Sequence, residues 1–135
     1  MTMDKQTTIL ILDDDPASVE STRRVLEVKG HRVVAAATCA EATARLAEAR
    51  PDLIILELIL GNRADGMLFA RKLRRSARFS RYADIPLLAL TGLKSRTEIE
   101  SPLPSKNKLF LPVDELLEKP ADPEALARAI EELLG

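Results

Sequence analysis

The sequence predicts an α/β domain, a doubly wound five-stranded parallel sheet of order 2-1-3-4-5 with helices on both faces. Three observations predict it. Short apolar runs alternate with amphipathic stretches, the runs are continuous instead of alternating in polarity, and most end on polar residues. A continuous run reads as a strand covered on both faces, and βα alternation with right-handed crossovers leaves few strand orders.

Residues 1–6 are polar and expected to fray, and residues 7–12 (TTILIL) form the first strand. Asp15 reads as the N-cap and Pro16 as the first position of a helix in which Val19, Thr22 and Leu26 recur at helical spacing until Gly30. Residues 31–37 (HRVVAAA) are the second strand. Thr38, with Glu41 three residues on, is a capping box for a helix with Ala42 and Leu46 inward, ended by Arg50-Pro51. Residues 52–58 (DLIILEL) are the third strand and 61–66 (GNRADG) a loop. Phe69, Ala70 and Leu73 place a third helix, basic at its far end, on the core. Residues 85–90 (IPLLAL) are the fourth strand, 114–118 (DELLE) the fifth. Residues 122–134 are a closing helix capped by Asp122, with Pro123 first and Leu126, Ile130 and Leu133 inward. Residues 92–113 contain Gly92, Pro102, Pro104 and Pro112 without helical periodicity, which predicts an extended loop with one helical turn near 95–100.

Composition removes several function classes. A chain of 135 residues buries roughly two-thirds of its unfolded surface, enough for the core of one domain, 1–135. Twenty basic against 21 acidic residues leave a formal charge of −1, so no global field favours nucleic acid or a membrane surface. Cys39 is the single cysteine and cannot form an internal disulfide, and no secretory leader is evident. No apolar run approaches the ~20 residues of a membrane helix, so a cytoplasmic, soluble protein is expected. With one His and one Cys, zinc sites and Cys/His or Ser/His nucleophile pairs are hard to build.

Four strand endings could form one site. Asp13, Asp14 and Asp15 follow the first run, Glu57 the third, Thr91 the fourth and Lys119-Pro120 the fifth. In the predicted order these carboxyl ends meet in one crevice. An acidic cluster with a hydroxyl and an ammonium suits a magnesium ion and a phosphoryl group. Taken singly the residues have plainer readings: Asp13 to Asp15 as a helix-capping turn, Thr91 as a strand-end threonine, Lys119 as a solvated lysine, Glu57 as a carboxylate paired to Lys119. The basic run Arg71, Lys72, Arg74, Arg75, Arg78 and Arg81 is better explained by the helix dipole and solubility than by nucleic acid, since only Phe79 and Tyr82 are near for stacking. Cys39 begins a helix, where a lowered pKa competes with a plain, half-buried role.

ILILDDDP, the PDLIIL segment at 51–56, Asp65-Gly66, IPLLALTG and LEKP, in this order and spacing, resemble a response-regulator receiver domain, the phosphorylated switch module of bacterial two-component signalling. The resemblance covers essentially the whole chain and implies a flavodoxin-like fold. It implies that Asp13 and Asp14 hold magnesium, Asp14 the more directly, with the residue at position 57 and the backbone carbonyl of Ile59. Thr91 would contact the phosphoryl oxygens, and Lys119, aimed inward by a cis Lys119-Pro120 peptide, would pair with them.

The sequence departs from that pattern at four places. Glu57 stands where the family has its phospho-accepting Asp. Gly61 stands near a usual Pro, Leu116 replaces a frequent aromatic, and the family's fourth helix is missing or replaced by the 92–113 loop. Glutamate adds one methylene and moves the nucleophilic oxygen by roughly 1 Å, a misplacement that costs on the order of 100-fold. The leading expectation is a stand-alone pseudo-receiver whose signal is not set by ordinary Asp phosphorylation, acting through protein binding and not as an enzyme. Its partner would be a sensor histidine kinase or another two-component protein, with no nucleic acid or membrane; a homodimer is left open. Two alternatives stand beside it: a working phosphoacceptor using Glu57 or another carboxylate, and a magnesium-dependent phosphoryl-transfer enzyme. Against the last, the chain has no Gly-rich phosphate loop.

Overall fold

A computed structural model describes residues 6–92 and 112–135. Five strands, β1 (Thr8–Leu12), β2 (Arg32–Ala36), β3 (Leu53–Leu56), β4 (Leu87–Thr91) and β5 (Glu115–Glu118), form one parallel sheet in the order β2-β1-β3-β4-β5. This is the predicted order. The helices are α1 (Pro16–Val28), α2 (Cys39–Ala49), α3 (Asp65–Arg75) and α4 (Pro123–Leu134), with a 3-10 helix at Ala77–Tyr82.

Because successive strand residues face opposite sides, the apolar runs feed two cores. Leu10, Leu12, Ile54 and Leu56 pack with Leu46 of α2 and Phe69 and Leu73 of α3. On the other face Ile9, Ile11, Leu53 and Ile55 pack with Leu26 of α1 and Leu126 and Ile130 of α4. The central strands β1, β3 and β4 are buried at every position, which explains their unbroken apolar runs.

The helix ends follow from their capping residues. Asp15 accepts from the Ala17 N–H ahead of Pro16, and Asp122 accepts from Ala125 ahead of Pro123. Thr38 accepts from Glu41 N–H, while the Glu41 carboxylate reaches back to Ala37 N–H at 2.7 Å. That bond falls one residue before the N-cap itself. Arg50 closes α2 in the left-handed region at φ 49° before Pro51.

Several boundaries differ from the sequence reading. The fourth strand starts at Leu87 and ends at Thr91, because Pro86 has no N–H and Ile85 N–H turns back to Tyr82. Asp65 and Gly66, read as loop, are the first residues of α3. The 3-10 helix has no counterpart in the reading, since it buries only Phe79 and shows no periodicity. The long loop at 92–113, and with it the missing or replaced fourth helix, falls on 93–111 and lies outside the described residues, as do residues 1–5 of the frayed N-terminus.

Candidate functional site

The strand ladder continues one step beyond three strands and thereby sets the site. Asp13 N–H donates to Ala36 O, Glu57 N–H to Leu12 O, and Lys119 N–H to Thr91 O. Asp13, Glu57, Thr91 and Lys119 therefore stand together at the carboxyl edge, and the first three are buried. The Lys119-Pro120 peptide is cis.

At the centre is the Lys119 ammonium. Its Nζ lies 2.7 Å from Asp13 Oδ2 and 3.1 Å from Glu57 Oε1, with 18% of the lysine side chain exposed. Burial works against its charge, but the hydrogen bond to Asp13 and the charges of Asp13 and Glu57 outweigh it and hold the pKa above the usual 10.5.

The other carboxylate oxygens are engaged by backbone. Glu57 Oε2 accepts from Leu58 N–H at 2.8 Å and from Ile59 N–H at 3.4 Å, and Oε1 also accepts from Gly92 N–H at 3.0 Å. Asp13 Oδ1 accepts from Asp15 N–H at 3.0 Å. Asp14 is exposed, and its Oδ2 accepts from Gly61 N–H at 2.7 Å. That last bond needs a residue with an N–H, so a proline at position 61 could not make it. Gly61 also adopts φ 64°, where glycine is favoured, in a tight turn closed by reciprocal Leu60 and Arg63 bonds.

Thr91 is 1% exposed, and its hydroxyl donates to the neighbouring Gly92 carbonyl at 3.4 Å. The extra methylene of Glu57 carries its carboxylate to Lys119 and to the amide after Thr91, not to the Thr91 hydroxyl. Behind it, α3 is pressed against the strand end: a Cβ on Gly66 would collide with the Glu57 carbonyl oxygen, and Met67 N–H donates to Leu58 O at 3.1 Å.

This donor set does not fit a magnesium ion as arranged. Magnesium asks for near-octahedral hard oxygens. Here Lys119 stands between Asp13 and Glu57, each Glu57 oxygen is turned to N–H donors, and no three acidic, His or Cys side chains form a metal-holding group among the described residues. Ile59 is buried beside the site, its amide facing Glu57. Sequence reading grouped the side chains but missed the amides of Leu58, Ile59, Gly61 and Gly92, which carry no side-chain signal. Cys39 is half-buried: burial first, then the Asp65 charge, raise its pKa, and its thiol donates to Asp65 O.

A parallel sheet of this order, with acids, hydroxyl and lysine at its carboxyl edge, defines a two-component receiver module. The chain belongs to the response regulator receiver domain family, which matches residues 9–131. It is 35% identical over 126 residues to the DNA-binding dual master transcriptional regulator RpaA of Synechocystis sp., covering 93% of this chain and 48% of that protein. It is likewise 35% identical over 111 residues to the response regulator MprA of Mycobacterium sp., covering 82% of this chain and 46% of that protein. The chain spans about half the length of these relatives. Among solved structures it superposes on a sensor protein from Polaromonas sp. with TM-score 0.79 at 26% identity, covering 96% and 97% of the two chains. The chemotaxis response regulator CheY4 of Vibrio cholerae gives TM-score 0.75 at 26% identity, covering 96% and 99%. No described helix is long and apolar enough to cross a membrane.

Proposed function

We propose that this receiver is a pseudo-receiver, a signalling module that acts by binding a protein partner and whose state is not set by phosphorylation at position 57. One observation carries the reading: both Glu57 carboxylate oxygens are held by Lys119 and by the amides of Leu58, Ile59 and Gly92. In-line attack on phosphorus requires a carboxylate oxygen presented to solvent, flanked by cations. Here the lysine that would neutralise the transferred group neutralises Asp13 and Glu57 instead.

Glu57 reproduces part of a modified state. It offers about −1 charge and two acceptors, against roughly −1.5 to −2 and three for a phosphoryl group. Lys119 is drawn inward by Asp13 and Glu57. A cleft of about 540 Å³ lined by Ser18, Thr22, Leu90, Lys119, Ala121 and Leu126 gives a partner access to the lysine. The partner class is a sensor histidine kinase or another two-component protein.

The test is intact-mass spectrometry after incubation with magnesium and a small phosphodonor such as acetyl phosphate. The unmodified protein gains no phosphoryl group, whereas Glu57→Asp gains one. Efficient labelling of the unmodified protein at Glu57 overturns the reading in favour of a working phosphoacceptor.

A further inference from the structure

We infer that the outward face of α3 and the adjoining 3-10 helix form a second interaction surface, built to take an acidic, amphipathic segment of a partner protein. It lies apart from the carboxyl-edge site and does not depend on how Glu57 behaves. Leu68, Arg71, Lys72 and Arg75 recur at i, i+3, i+4 and i+7 and are all exposed, so they make one stripe along the helix, opposite the buried Met67, Ala70 and Leu73. Arg78 and Arg81, also exposed, carry the basic character into the 3-10 helix.

The charge on this surface is one-signed. No Asp or Glu occurs between Asp65 and Asp84. Six of the chain's 20 cations fall in residues 71–82, and the other 14 face all 21 acids, a balance of −7 elsewhere. One of the six is spent internally: Arg74 donates to Ala83 O and Ile85 O and pairs with Asp114. Arg71, Lys72, Arg75, Arg78 and Arg81 make no ion pair among the described residues. Arg78 is nonetheless fixed, its guanidinium 5.3 Å above the Phe79 ring. Beyond it, Arg81 and Arg50 both line a concavity of about 480 Å³ with Tyr82 and Pro51, large enough to admit a carboxylate side chain.

A face needed only for solubility interleaves both signs and keeps large apolar side chains out. This one does neither: Leu68, 47% exposed, heads the same stripe one turn before Arg71 and Lys72. Leucine also selects between polyanions. Guanidinium groups pair with phosphate and carboxylate alike, but a phosphate backbone offers a leucine nothing, and base stacking lacks exposed aromatics because Phe79 is buried and Tyr82 half-buried. An acidic helix with an apolar residue among its carboxylates satisfies both features. A second copy of the chain, offering its acidic remainder, would join head to tail and propagate into open assemblies. One helix face is small, so the contact is transient.

The experiment is fluorescence anisotropy with the whole chain and a labelled helical peptide carrying Glu and Leu along one face. Comparison probes are the same peptide with Leu replaced by Ala, a Lys-for-Glu version, and a short DNA duplex. The Glu/Leu peptide binds most tightly and weakens with added salt. Arg71→Glu combined with Arg75→Glu weakens it by roughly tenfold or more, and Leu68→Ser weakens it severalfold, while circular dichroism shows each of these surface variants folded at the assay temperature. Absence of saturable binding overturns the inference, as does affinity unaffected by the variants. Equal or tighter binding of the duplex or of the Leu-free peptide would instead make the face a general polyanion site, and salt-sensitive self-association abolished by Arg71→Glu would make it a self-interface.

Discussion

The Lys119 ammonium stands 3.1 Å from Glu57 Oε1 while it holds Asp13 Oδ2 at 2.7 Å, so two buried carboxylates share one cation. Taking that cation away leaves two anions without compensation. Lys119→Met therefore destabilises the fold by about 3 kcal/mol in urea denaturation at neutral pH. A loss under about 1 kcal/mol, the scale of an exposed pair, contradicts this account of the site.

The same arrangement fixes a pH dependence. The folded-state pKa of Lys119 is raised above the ordinary 10.5, chiefly by Asp13 and Glu57 acting against burial. A raised lysine pKa adds stability fully below the unfolded value and loses it as pH rises through the folded one, because the folded state then binds more protons. Stability thus falls as pH climbs past 10.5, and Lys119→Met removes this part of the fall. Equal alkaline slopes for the two proteins, measured by urea denaturation across that range, would count against it.

Magnesium should leave the protein unmoved. Any ion that binds only the folded state raises the melting temperature with its concentration. With Lys119 between Asp13 and Glu57, magnesium chloride in the millimolar range shifts the melting temperature of the natural protein no more than matched ionic strength with sodium chloride does. A magnesium-specific rise is the contrary result.

Gly66 tests the support behind the site. A Cβ there would strike the Glu57 carbonyl oxygen, a backbone atom that cannot swing aside. Gly66→Ala forces α3 and the end of β3 apart and costs about 3 kcal/mol. Unchanged amide shifts at Leu58 and Gly92 in that variant would show that the contact relaxes without moving the carboxylate.

Arg74 provides a separate check on the opposite end of the sheet. It satisfies the carbonyls of Ala83 and Ile85 and pairs at 2.7 Å with Asp114, which also accepts from Leu87 N–H. Arg74→Met strands those acceptors and costs roughly 2 kcal/mol, with faster hydrogen exchange at Leu87 as the local signature.

The fold was legible because its signals are local and redundant. Unbroken apolar runs such as TILIL and LIIL report burial on both faces, and Asp15-Pro16, Thr38…Glu41 and Asp122-Pro123 mark helix starts through capping chemistry. The side chains of the site were legible for a related reason: in a parallel sheet of known order, residues just past each strand share an edge. What sequence does not display is which backbone amides turn inward. The bonds from Leu58, Ile59 and Gly92 to Glu57, and from Gly61 to Asp14, depend on loop geometry after the strands. The 3-10 helix escaped because six residues with one buried side chain carry no period to detect.

The Asp13–Lys119 contact joins positions 106 residues apart, the first strand's exit to the last strand's exit. On the ribosome both acids are made long before their counter-ion emerges. Until then Asp13 and Glu57 lack the ammonium that compensates their burial in the folded protein. Closure of the crevice thus coincides with completion of the sheet, and any protein that recognises the closed edge is also recognising a sheet with all five strands in place.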